Sequence, residues 1–181
     1  MTSLHFDSST GSLELTTGVT GRAARMGHRL TIRMKEWTGD VNFRDGRPVS
    51  ATLTVPVAGF DVIKGEGGIK GLSGPERAIV RANALGSLDA TTHPTIEFAA
   101  DDIQPSDEGF VLHGTVTIHG ATRPIDVTVT VATQPTGYEL ATHLVIRQSD
   151  FGISPYSLMA GALAVADDVD LRWHVTVPPP G

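Results

Sequence analysis

The chain has 181 residues, of which 40% are hydrophobic, 19% charged and 6% aromatic, with no cysteine and a formal net charge of −6. That size supports one sizeable core in one domain over residues 1–181, and the composition excludes a disordered chain. No apolar run approaches the roughly 18 residues of a membrane-spanning helix, the missing thiols exclude disulfides and thiolate metal sites, and acidic balance with few aromatics excludes a nucleic-acid partner.

Ser12 to Thr16 alternates, with Leu13 and Leu15 on one side, and predicts a first strand. His28 to Trp37 predicts a second: Leu30, Ile32 and Met34 face one way and Arg29, Thr31, Arg33 and Lys35 the other, because successive strand side chains point to opposite faces. A turn at Gly39 and Asp40 precedes Val41 and Phe43. Asp45-Gly46 then marks a tight hairpin into Val49, Ala51, Leu53, Val55 and Val57. The Gly-rich segment from Gly59 to Gly74 interrupts the strand pattern. Ser73-Gly74-Pro75-Glu76 predicts a helix start, with Ser73 capping, Pro75 in the first turn and Glu76 closing a capping box. Ile79, Ala82 and Leu85 recur at helical spacing as its inner face, and Gly86 is its stop.

After His93-Pro94, alternation resumes through Ile96 and Phe98. The clearest pattern runs from Phe110 to Val131. Leu112, Val116 and Ile118 oppose His113, Thr115, Thr117 and His119; past a break at Gly120 to Pro124, Ile125, Val127, Val129 and Val131 oppose Asp126, Thr128 and Thr130. Tyr138 to Arg147 and Val169 to Val177 follow, the latter with Val169, Leu171, Trp173, Val175 and Val177 on one face. Between them, Phe151 to Gly161 reads as a rim loop or a short helix capped by Ser154 with Pro155 first. The tail from Pro178 to Gly181 cannot extend a ladder and is expected to be disordered. Strict alternation belongs to antiparallel sheets with one buried face. About nine such strands predict an all-β barrel or sandwich, and closure of a barrel leaves no bare edge.

Charge is laid out unevenly: residues 1–90 carry 11 Lys/Arg against 9 Asp/Glu, and residues 91–181 carry 3 against 11. Arg22, Arg25, His28 and Arg29 cluster where the chain enters a strand, either as solvated charges or as contacts for an anionic or carbonyl head group. Lys64 and Lys70 flank a Gly-rich run, but Lys70 is followed by Gly71 rather than Ser or Thr, so it is no P-loop; a flap over the barrel is expected instead. Seven histidines lack the acidic partners of a metal set, and His113 and His119 stand about 20 Å apart by strand rise. They are read as surface residues, with no metal and no cofactor. Ser149, Ser154 and Ser157 supply hydroxyls but no Gly-x-Ser-x-Gly elbow. No catalytic residue is assigned. The opening Met-Thr-Ser-Leu-His-Phe-Asp has no secretory pattern, so a cytoplasmic protein is expected.

Three motifs in order, His93-Pro-Thr-Ile-Glu-Phe98, Gly114-Thr-Val-Thr-Ile-His-Gly-Ala-Thr-Arg-Pro124 and Arg147-Gln-Ser-Asp-Phe-Gly-Ile153, resemble the YceI-like family, with similarity from about Leu13 to Val177. The family's usual Asp-rich, Phe-Phe-containing helix start is replaced here by Gly74-Pro-Glu-Arg-Ala-Ile-Val-Arg81. The resemblance implies an extended lipocalin-like antiparallel β-barrel of about eight strands with one inserted helix, binding or carrying a hydrophobic molecule such as an isoprenoid, quinone or fatty-acid-like lipid without transforming it. With a ligand of that kind, the apolar faces read above put Leu30, Ile32, Met34, Phe98, Val116, Ile118, Val127, Val129 and Trp173 against the tail, the basic cluster puts Arg22, Arg25 and His28 at the head group, and Phe151, Tyr156, Leu158 and Met159 line the entrance or plug the barrel end. An eight-stranded barrel is also narrow enough to be filled by its own side chains. A hydrolase-like enzyme using His174 and the serines from Ser149 to Ser157, and a solid-cored interaction module or homodimer, are therefore the alternatives.

Overall fold

The computed structural model describes residues 1–179. Its strands are β1 (Thr2–Asp7), β2 (Gly11–Thr20), β3 (His28–Met34), β4 (Thr38–Arg44), β5 (Arg47–Pro56), β6 (Phe60–Gly67), β7 (Thr95–Ser106), β8 (Gly109–Ile118), β9 (Ala121–Gln134), β10 (Gly137–Arg147), β11 (Ser157–Leu158) and β12 (Leu163–Val177), with the helix α1 (Gly74–Ser87) between β6 and β7. All pairings are antiparallel.

Twelve strands reduce to eight staves. β1 and β2 form one bent stave, because β2 pairs with β3 while β1 pairs with β4. In turn β3 pairs with β6 and β4 with β5, so β3–β4 and β5–β6 are the next two staves. β7, β8, β9, β10 and β12 follow in order, β5 joins β7, and β12 returns to β2, which closes the ring. The lipocalin-like barrel is thus an up-and-down meander in which every stave meets its sequence neighbours.

Among the described residues two half-edges stay unpaired, those of β1 and β6, which end the strand order. β7 reaches only β5, so the outer edge of β6 has no strand beside it, and α1 covers that edge instead. Arg77 donates from Nη1 to the Ile63 carbonyl at 2.7 Å, and Arg81 donates from Nε to Phe60 and from Nη2 to Ala58, both at 2.6 Å. Guanidinium groups replace the missing ladder partner, which matters because a bare edge is a site for unwanted pairing.

The capping box forms as expected, with Glu76 N–H donating to Ser73 Oγ at 3.4 Å and Ser73 N–H donating to Glu76 Oε2 at 2.7 Å. The inner face forms only in part: Leu85 packs on the core as expected, with Val80, Ala84 and Leu88, but Ile79 is 61% exposed and Ala82 is exposed. The two edge-binding arginines set this rotation, since residues 77, 81, 84, 85 and 88 share a stripe and residues 79 and 82 cannot join it. The helix also runs one residue past Gly86.

Five further expectations are corrected. β1 precedes the expected first strand, and Leu4 and Phe6 alternate in it. Gly39 and Asp40 lie within β4 rather than in a turn; the bend is at residues 35–37. Gly39 is glycine for another reason, since a Cβ there would sit 2.2 Å from Cε2 of Phe6. The Gly-rich segment is mostly the strand β6, and only residues 68–73 form a connecting loop, with Leu72 packed on the core. The break in the long hairpin is the two-residue turn His119-Gly120, both at positive φ, and Pro124 belongs to β9. No helix starts at Ser154: short 3-10 turns at Gln148–Phe151 and Met159–Gly161 flank β11. Of the tail, Pro180 and Gly181 lie outside the described residues, while Pro178 and Pro179 border the barrel interior.

Candidate ligand cavity

The barrel is hollow. Its interior encloses a cavity of about 1090 Å³ that runs from Thr2, Gly46 and Pro178 at the hairpin end to Gln148, Ile153 and Tyr156 at the rim-loop end. That volume lies at the top of the range of about 300–1,000 Å³ typical of small-molecule sites. Inward positions on β12 extend from Val165 to Val177, about 40 Å along the strand at its usual rise. The shape suits a long, slender guest.

Packing shows the same vacancy from the side of the wall. A filled interior forms one contiguous cluster, but the buried hydrophobic residues here fall into three. The largest gathers Leu13, Ile32, Met34, Trp37 and Val175; a second gathers Ala51, Ala100, Leu112 and Val127; a third gathers Val116, Ile118, Phe151 and Ile153. Val129, Leu140, Leu144 and Leu171 point inward yet are only half-buried. They border empty space.

Among the described residues the wall carries no Asp, Glu, Lys, Arg or His. Three of its polar side chains are engaged with backbone: Thr17 Oγ1 accepts from Leu30 N–H at 3.2 Å, Thr142 Oγ1 donates to the Thr128 carbonyl at 2.6 Å, and Gln148 Nε2 donates to the Ala166 carbonyl at 2.9 Å. Buried polar groups need such partners, and once made they leave the surface toward the cavity apolar. Phe6, Trp37 and Trp173 form an aromatic cluster against one side, with ring centroids 5.6 to 6.3 Å apart.

Ten of the expected site residues line this cavity: Leu30, Ile32, Met34, Phe98, Val116, Ile118, Val127, Val129, Tyr156 and Trp173. Six do not. Arg22 and Arg25 are exposed on the Ala24–Met26 turn and its approach, and the His28 ring bonds through Nε2 to the Lys70 carbonyl at 2.7 Å. Phe151 is buried with Val116, Ile118 and Ile153 behind the wall, and Leu158 and Met159 are exposed on the rim. Leu4, Phe6, Phe60, Tyr138 and Leu140 line the cavity without having been expected there. The alternation of Leu4 with Phe6 and of Tyr138 with Leu140 was the signal that could have placed them. Ile103 joins them because a bulge between Ala100 and Asp102 switches the inward parity of β7 from even to odd.

Outer-face chemistry is local. His113 bonds Asp126 at 2.7 Å, which raises its pKa above the ordinary histidine value, and His143 bonds Asp170 at 2.8 Å. The meeting of His174 with the Ser149 region that the hydrolase alternative needs does not occur: His174 bonds Ser12 at 2.9 Å, while Ser149 donates to Asp167 and holds that carboxyl below its usual range. No cluster of three or more metal-ligating side chains occurs among the described residues, and no helix there is long and apolar enough to cross a membrane.

A closed antiparallel meander around an apolar cavity, with one helix over a half-edge, defines the lipocalin-like class of barrels. Within that class the chain belongs to the YceI-like domain family, which matches residues 5–177. Among solved structures it is similar to Burkholderia cenocepacia BcnA, at 22% identity over 94% of this chain and 98% of that one, with a TM-score of 0.72. It is also similar to a Campylobacter jejuni YceI protein, at 15% identity over 83% and 85% of the two chains, with a TM-score of 0.62. At these identities the likeness concerns the fold. Among curated proteins the sequence has no significant match.

Proposed function

We propose that the protein binds and carries an elongated hydrophobic molecule, an isoprenoid or a related lipid, inside the barrel without transforming it. The observation that carries this reading is the 1090 Å³ cavity bordered by no charged side chain. At about 0.8 kcal/mol per buried methylene, a tail of about ten carbons contributes about 8 kcal/mol before ordering costs, near the micromolar range. The ten lining residues expected from the sequence contact the tail. A polar head group finds no charged partner along the wall and stays at an end of the barrel, within reach of the basic segment from Arg22 to Arg29.

A hydrolytic reading has less support, because Ser149 and His174 have separate partners and neither borders the cavity. Native mass spectrometry of the purified full chain, followed by solvent extraction, tests the proposal. A co-purifying lipid, or stoichiometric uptake of added retinol, is the expected result; a chain that retains neither overturns it. Fractionation of producing cells tests the expected cytoplasmic placement.

A further inference from the structure

The rim-loop end gathers exposed apolar side chains from three separate loops. Met26 is 54% exposed on the turn before β3, Ile69 is 93% exposed on the loop after β6, and Leu158 and Met159 are 49% and 61% exposed before β12. Local geometry joins them into one patch. Ala23 N–H bonds the Ala162 carbonyl at 2.8 Å, Leu158 pairs with Leu163, and a Cβ on Gly68 would sit 3.3 Å from the Met26 carbonyl.

The segment before β3 is basic in an acidic molecule. Residues 21–29 hold Arg22, Arg25 and Arg29 with no carboxylate, in a chain whose net charge is −6. Lys64 and Lys70 are neutralised by Glu66 and Glu76, but Arg22 and Arg25 have no ion pair among the described residues. The cavity reaches the same end through Tyr156, which lines it and is 37% exposed.

We propose that this end docks on an anionic lipid bilayer, with Met26, Ile69, Leu158 and Met159 entering the interface and Arg22 and Arg25 meeting lipid phosphates. Exposed apolar side chains beside basic ones are what an interfacial protein presents, and a tyrosine at that level suits the headgroup layer. The docking surface stands whatever the cavity holds; its use for loading rests on the lipid-carrier reading.

The test is flotation of the full chain with vesicles of phosphatidylcholine alone and of phosphatidylcholine mixed with phosphatidylglycerol, at low and high salt. Partitioning onto the mixed vesicles is expected to exceed that onto phosphatidylcholine by at least tenfold and to fall at high salt. Arg22→Ala and Arg25→Ala should each lower it about fivefold. Met26→Ser with Ile69→Ser, both surface changes, should abolish flotation while leaving the thermal midpoint and retinol retention unchanged. Equal flotation of that variant and the parent overturns the proposal. So does a dimer that Ile69→Ser dissociates while neither vesicle is bound. Flotation without retinol retention would sustain the docking surface and remove the carrier reading; retinol retention without flotation would remove the docking surface alone.

Discussion

Single residues in this barrel act through what their nearest neighbours allow. Gly39 is flanked by the ring of Phe6, so Gly39→Ala introduces a clash that the ring must relieve. Overpacking of this kind costs about 1–3 kcal/mol. The expected outcome is a lowered denaturant midpoint for Gly39→Ala that Phe6→Leu largely restores, and a double mutant no better than the single one would refute the contact. Two titrating groups give opposite pH signatures. Glu76 is held below the usual carboxylate range by the hydrogen bonds from Ser73, so its contribution is present at neutral pH and disappears as pH falls through its lowered pKa. His113 is held above its usual range by Asp126, so its contribution is present in acid and disappears as pH rises through its raised pKa. Melting curves across pH should therefore show Glu76→Gln converging on the parent in acid and His113→Gln converging on it in alkali.

Among the elements, α1 has the most specific task. It covers the half-edge of β6 with three guanidinium hydrogen bonds, beside the apolar contacts of Val80, Ala84, Leu85 and Leu88 with the core. Ile79, exposed on its outer side, is correspondingly dispensable. Arg81→Met removes two of the three bonds and leaves the Phe60 and Ala58 carbonyls without those donors. Hydrogen bonds to charged groups are worth about 1.5–3 kcal/mol, so a loss of a few kcal/mol is expected, with hydrogen exchange accelerated first in β6 and α1. Uniform acceleration across all strands would show that the helix is not a separate latch. Ile79→Ser should change stability by less than about 0.5 kcal/mol.

For the molecule as a whole, the governing quantity is empty volume. Natural interiors pack like organic crystals, and this one does not, which leaves its inward aliphatic side chains without partners across the axis. Two substitutions separate the wall from the space it surrounds. Val129→Glu or Met34→Glu places an unpaired charge in an apolar wall and should abolish lipid retention or folding. Val129→Phe with Leu171→Phe instead fills the space with apolar rings, so the thermal midpoint should hold or rise while retention of retinol is lost. Retention by the filled variant would mean that the guest binds elsewhere.

Much of this was legible in the residues. Alternation in His28 to Met34, Phe110 to Val131 and Val169 to Val177 determined which side chains face inward, because the period of a strand is two and cannot be renegotiated by packing. Ser73 and Glu76 determined the start of α1 through a contact three residues long. What lay beyond local pattern was decided by tertiary structure. The stripe of α1 turned away from Ile79 because the carbonyls it had to satisfy belong to a distant strand, and a bulge at Ala100 moved Ile103 inward. Above all, the same apolar faces are compatible with a filled core or a hollow one. Only the closure of eight staves at one circumference, with side chains too short to meet across it, made the interior a cavity.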